Sequence, residues 1–172
     1  MTRQQQPCKV ADVSDRTTAQ QRRVWQNFLA LNESVRRELA RDLWDTSQLS
    51  EADFSVLARL AAAPGASMRS TECARALDWD SSRMSHHLRR MEERNLVRRG
   101  RGAGADGRAA LVTLTDVGLA AYRRALGPHW RSAKSWFLDG IEPERLDQFD
   151  AILQGLLDHF QRTQDHASQE TS

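Results

Sequence analysis

Leu77-Asp78-Trp79-Asp80-Ser81-Ser82-Arg83-Met84-Ser85-His86-His87-Leu88-Arg89-Arg90-Met91-Glu92 is the stretch whose reading decides the fold of this 172-residue chain. Met84, Leu88 and Met91 recur at i, i+4 and i+7, which places them on one stripe of a helix facing a core. Asp80-Ser81-Ser82 opens that helix. The opposite face falls to Ser82, His86, Arg89, Arg90 and Glu93, with Arg83 and Ser85 at its margins. Two β-like runs follow, Leu96-Val97-Arg98-Arg99 and Ala109-Ala110-Leu111-Val112-Thr113-Leu114, joined by a glycine-rich tip at 100–107 that predicts a hairpin.

Upstream, Leu49-Ser50-Glu51-Ala52-Asp53-Phe54 is a compact helix start: Ser50 caps, Asp53 reaches back, and Leu49 staples onto Phe54. Val56, Leu57 and Leu60 form the buried stripe, and Pro64-Gly65 stops the helix after about Ala62. Ser70 begins a short helix reaching Ala76 or Leu77. Only a tight turn then fits before Ser81, which is the spacing of a helix-turn-helix.

The flanks predict a second layer. Residues 1–17 are polar and read as a loose tail, and 18–48 as one long helix. Along that helix Val24, Phe28, Leu31, Val35, Leu39 and Leu43 share a stripe widened by Trp25, Leu29 and Trp44. So many large apolar side chains are hard to cover within so small a chain, and a partner subunit is the natural cover. Thr115 caps a helix over 116–126, which Gly127-Pro128 is expected to kink or break before it resumes to about Asp139. After a corner at 140–143, Leu146, Phe149, Ile152, Leu153, Leu156, Leu157 and Phe160 mark a last amphipathic helix, with a polar tail at 164–172. The fold class is therefore mainly α with a small β-wing. A winged helix-turn-helix at 49–114 stands between a dimerisation helix at 18–48 and dimerisation helices at 115–163.

Charge points to a partner. Residues 81–108 carry eight basic and three acidic residues, a block hidden by the chain's formal net charge of +2. Such a block is the footprint of a phosphate-binding surface. Serine, histidine and arginine near a helix N-terminus suit a major groove, where they donate to purine N7 and O6 and to phosphates. Ser81, Ser82, Arg83, Ser85, His86, Arg89 and Arg90 are the candidates for base edges or nearby phosphates. Arg69, Arg98, Arg99 and Arg101 are candidates for phosphates. Arg108, oriented by Asp106 at the end of the tip, suits a minor groove.

Other classes are disfavoured. No apolar run approaches the roughly 18 residues of a membrane span, and the N-terminus lacks a signal-peptide apolar region, so a cytoplasmic protein is expected. The glycine-rich tip lacks the strand-before, helix-after setting of a nucleotide loop. His86 and His87 point different ways from one helix and do not share an ion, so neither metal nor cofactor is expected. No nucleophile, base and orienting group are grouped, which argues against an enzyme. A pure protein-interaction module would show dimerisation without salt-dependent DNA affinity.

Three segments together resemble the MarR (multiple antibiotic resistance regulator) family over about residues 20–160: the 49–57 run Leu-Ser-Glu-Ala-Asp-Phe-Ser-Val-Leu, the 77–92 stretch, and Asp106-Gly107-Arg108 followed by Val112-Thr113-Leu114-Thr115-Asp116-Val117-Gly118. The Trp79 to Leu88 run is similar to the form found in actinobacterial members. The resemblance implies a homodimer built from the first and last helices, with reading helices in successive major grooves of double-stranded DNA, an inverted-repeat operator, and wings at the minor grooves. It also implies a repressor released by a small aromatic or anionic effector in a cleft that Trp25, Phe28, Trp44, Phe54, His129 and Trp130 would line. The alternative is a thiol-based redox regulator using Cys8 or Cys73, the chain's two cysteines.

Overall fold

The computed structural model describes residues 17–101 and 110–169, and its element order follows the sequence reading closely. Thr18 caps α1 (Ala19–Ser47): its hydroxyl accepts from the Gln21 N–H, and the Gln21 side chain accepts from the Thr18 N–H. Gln48, in the left-handed region at φ 55°, ends the helix by donating to the Trp44 carbonyl. Ser50 and Asp53 form the expected reciprocal cap of α2 (Glu51–Ala62).

The chain next makes a 3-10 turn at Pro64–Ala66 and enters β1 (Ser67–Arg69). This strand is absent from the sequence reading, because three residues are too few for alternation to show. It is held by its partner: β1 pairs antiparallel with β3 (Ala110–Leu114), where the Ser67 hydroxyl lies 2.9 Å from that of Thr113. β2 (Val97–Arg101) pairs on the other side of β3, giving the order β1-β3-β2.

Between β1 and β2 lie α3 (Ser70–Ala76) and α4 (Ser81–Glu93). Asp78 turns the chain at φ 52°, the Trp79 N–H bonds the Ala74 carbonyl, and the Asp80 carboxylate accepts from the Arg83 N–H at 2.8 Å. α4 ends in a Schellman arrangement: Asn95 is left-handed at φ 55°, its N–H reaches the Glu92 carbonyl, and that of Leu96 reaches Met91. The core beneath joins Val56, Leu57 and Leu60 of α2 to Met84, Leu88 and Met91 of α4, Val97 and Val112 of the sheet, and Ala121 and Ala125 beyond it.

Thr115 caps α5 (Asp116–Trp136) by accepting from the Gly118 N–H, while its hydroxyl bonds the Asn95 carbonyl. Of the kink or break expected at Gly127-Pro128, the break does not occur: α5 is one helix with Pro128 inside it. Packing on α1 holds it together. The Asp42 carboxylate of α1 accepts from Ser132 Oγ at 2.7 Å and from Trp136 Nε1 at 2.9 Å, both on the α5 segment beyond the proline. These two bonds hold that carboxyl below its ordinary range.

After 3-10 turns at Leu138–Gly140 and Pro143–Arg145, α6 spans Leu146–Gln169. It continues past Gln164, where the sequence reading began a polar tail; that segment is polar but contains neither proline nor glycine, so nothing in it stops a helix. Leu146, Ile152, Leu153, Leu156, Leu157 and Phe160 are exposed, as are Val24, Trp25, Phe28, Leu29 and Leu31 on α1. Phe149 alone of the apolar row turns inward, against Phe137. No described helix is long and apolar enough to cross a membrane.

Candidate nucleic-acid interface

α4 is divided lengthwise. Met84, Leu88 and Met91 are at most 1% exposed, whereas Ser81, Ser82, Arg83, Ser85, His86, Arg89 and Arg90 all face outward. This exposed row collects hydroxyl, imidazole and guanidinium donors with no covering element among the described residues. Arg98 is exposed on β2 beside it. Arg69 is half-buried between β1 and α3, where its backbone N–H donates to Glu72 Oε2.

Arg99 is committed differently. Glu92 accepts from the Arg99 backbone N–H at 2.9 Å and from its Nε at 2.8 Å, and these bonds hold the Glu92 carboxyl below its ordinary range. The pair ties α4 to β2, so this arginine first fixes the wing to the helix. Only the backbone of Arg101 is described, in β2, and Arg108 and Asp106 lie outside the described residues.

Beneath the reading helix is a polar group the sequence reading did not assemble. Asp53 is 3% exposed. Its Oδ2 accepts from Arg94 Nη1 at 2.7 Å and from the Ser50 N–H at 3.0 Å, and its Oδ1 lies 3.1 Å from His87 Nε2. Burial pushes this carboxyl up, but the close His87 ring and the hydrogen bonds from Ser50 and Arg94 outweigh it and hold the group well below the usual carboxylate range. Arg94 also donates to the Gln48 carbonyl at 2.7 Å, joining the ends of α1 and α4. A signal existed: His87 falls three residues after Met84 and four before Met91, on the buried stripe.

The six aromatic candidates divide among several places. Phe54 and His129 line one cavity of about 380 Å³, floored by Leu39, Leu43 and Ala58 and bordered by Arg36. Their rings lie 4.5 Å apart, and burial lowers the pKa of His129, whose Nδ1 has no partner among the described residues. Trp44 borders a separate cavity with Trp79 and the α4 arginines. Trp130 is exposed near Lys134 and Ile141, and Trp25 and Phe28 stack on each other on the open face of α1.

Cys73 is fully buried, and burial pushes its thiol up, away from the thiolate a redox sensor needs. Cys8 lies outside the described residues. His86 is exposed while His87 is buried, and no group of three metal-ligating side chains occurs among the described residues.

The three-stranded sheet, the paired α3 and α4, and the wing define a winged helix-turn-helix protein. No protein-family model and no curated protein matches the chain. Among solved structures it is similar to AbsC, a MarR family transcriptional regulator from Streptomyces coelicolor, at 30% identity over 84% of this chain and 97% of that one, with a TM-score of 0.76. Sco3205, a MarR family regulator from the same organism solved in complex with DNA, matches at 26% identity over 83% and 89% of the chains, with a TM-score of 0.76. An organohalide-sensing transcriptional regulator in its 2,4-dichlorophenol-bound form matches at 21% identity over 83% and 82%, with a TM-score of 0.70, a likeness of fold. The chain belongs to the MarR family of transcriptional regulators.

Proposed function

We propose that the chain is a homodimeric, sequence-specific DNA-binding repressor of actinobacterial type, acting in the cytoplasm on an inverted-repeat operator. The observation that carries this reading is α4, buried along Met84, Leu88 and Met91 and bare along its hydroxyl, imidazole and arginine row. A helix presented in this way enters a major groove, and a two-fold dimer sets its two reading helices roughly 34–36 Å apart. The uncovered apolar rows of α1 and α6 support the dimer, and the DNA-bound state of Sco3205 supports the ligand class. Ser82, Arg83, Ser85, His86, Arg89 and Arg90 read bases or adjacent phosphates, and Arg98 contacts phosphate. Recognition rather than catalysis is the chemistry of this surface.

Release is assigned to a small aromatic or anionic effector in the cavity beside Phe54 and His129, where Arg59 and Arg36, the latter paired with Glu51 at 2.9 Å, border a mainly apolar lining. Such a ligand acts only by preferring one spacing of the reading helices over another. Selection of bound duplexes from a random pool tests the central reading. A palindromic consensus is expected, whereas recovery of unrelated sequences contradicts sequence-specific binding.

A further inference from the structure

His87 occupies a position that a hydrophobic residue would fill more simply. His87 is 6% exposed within the inward row of α4, yet it touches Arg90 of the outward row directly. Arg90 Nη2 lies 3.1 Å from His87 Nδ1. A guanidinium only donates, so Nδ1 is the bare acceptor and the ring proton sits on Nε2. Nε2 lies 3.1 Å from Asp53 Oδ1 on α2, a close charge–dipole contact rather than an aligned hydrogen bond. Asp53 is itself pinned by Ser50 and Arg94, so α2 selects the tautomer that lets His87 accept from Arg90.

The same ring reaches a second arginine through an aromatic. His87 meets Trp79 edge-on, with ring centroids 5.2 Å apart and planes at 85°, and the Arg83 guanidinium lies over Trp79 at 4.3 Å. Arg83 and Arg90 stand two turns apart on α4 and are both exposed. Free arginines at these positions would be ordered only on meeting DNA, at an entropic cost; arginines already held are pre-ordered.

We propose that His87 is a positioning residue for DNA reading: fixed by Asp53, it holds Arg90 through Nδ1 and braces the Trp79 platform that carries Arg83. This assignment rests on the DNA-binding reading above. It adds a buried residue that never meets DNA but sets how the surface does. A merely structural His87 would anchor α4 to α2 with no specific tie to Arg90.

The test is a double-mutant cycle on the full-length protein, read by fluorescence anisotropy on a duplex selected with wild type. His87→Leu fills the site without an acceptor, and His87→Asn keeps an acceptor near Nδ1. His87→Leu is expected to weaken operator binding about tenfold, as loss of a charge-assisted hydrogen bond can. In that background Arg90→Ala should cost nothing further, while Arg98→Ala, which does not touch His87, should cost as much as in wild type. His87→Asn should recover most of the affinity and restore the cost of Arg90→Ala. Should His87→Leu fail to fold by circular dichroism, the His87→Asn arm decides alone: a tenfold loss there overturns the proposal. Wild-type affinity in a folded His87→Leu variant, or an Arg90→Ala cost that is undiminished in it, overturns it as well. A ¹⁵N spectrum of the histidine rings separates the two claims. A proton on Nδ1 of wild-type His87 overturns the brace whatever the DNA result. A bare Nδ1 in a protein that binds no duplex shows that the DNA reading has failed, and the proposal with it.

Discussion

Asp53 carries more of this fold than its sequence context suggests. At the third position of α2 it reads as a capping acid, and it is one, but the same carboxylate also receives Arg94 and faces His87 across the core. Asp53→Asn should cost about 3 kcal/mol in a urea melt at neutral pH, the scale of removing one partner from a buried charged group. Because the folded pKa is depressed, the stabilisation is present above the unfolded value of about 3.9 and fades as pH falls below it toward the folded value. Wild type should therefore keep this contribution from neutral pH down to about pH 5 and lose it progressively as pH falls below about 4, whereas Asp53→Asn should lose less over that acid range; equal acid slopes would remove Asp53 from the account. At Gly118 an added Cβ would stand 1.9 Å from the Leu96 carbonyl oxygen, so Gly118→Ala should destabilise at the upper end of the roughly 1–3 kcal/mol typical of overpacking, measured as a lowered Tm. In a Cys8→Ser background, Cys73 should resist a thiol reagent until the protein unfolds, since it is buried and poorly ionised. Rapid native-state labelling would revive the thiol mechanism. The exposed row of α4 was legible residue by residue from helical periodicity. The Asp53, His87 and Arg94 group was not, because its members lie 34 and 41 positions along the chain from Asp53 and meet only once α2 and α4 pack.

Elements with a cap and a clear period were the ones the sequence announced. Ser50 with Asp53, Asp80 and Thr115 each mark a helix start that the structure places at the following residue. What escaped were features decided by neighbours. β1 exists because β3 offers it an edge, and α5 runs through Pro128 because α1 packs along it and Asp42 bonds Ser132 and Trp136 beyond the proline. The apolar row of α6 was also legible, but the sequence of one chain does not say what covers it. Within this chain Leu156 and Leu157 remain about 60% exposed. If a second copy covers them, Leu156→Asp with Leu157→Asp should shift the protein from dimer to monomer in sedimentation equilibrium while leaving its helix content largely intact. A wild type that is monomeric at micromolar concentration would remove the dimer from the account.

Over the whole molecule, the basic surface and the cavity proposed for an effector lie on different sides of α2. Asp53 faces α4, while Phe54, one residue later, faces Leu39 of α1 and His129 of α5. The proposed effector cavity therefore lies against the same helix, α2, whose Asp53 contacts His87 and Arg94. The local charge block, rather than the net charge of +2, sets the electrostatics of association. The most direct measurement is anisotropy of the full-length protein on a selected operator and on a scrambled duplex across a salt series, for wild type, Arg89→Ala and Arg98→Ala. The account predicts operator-selective binding that falls steeply with salt, a slope lowered by about 0.9 for Arg98→Ala, and lost selectivity for Arg89→Ala. Equal, salt-insensitive binding to both duplexes, unmoved by either substitution, would contradict it.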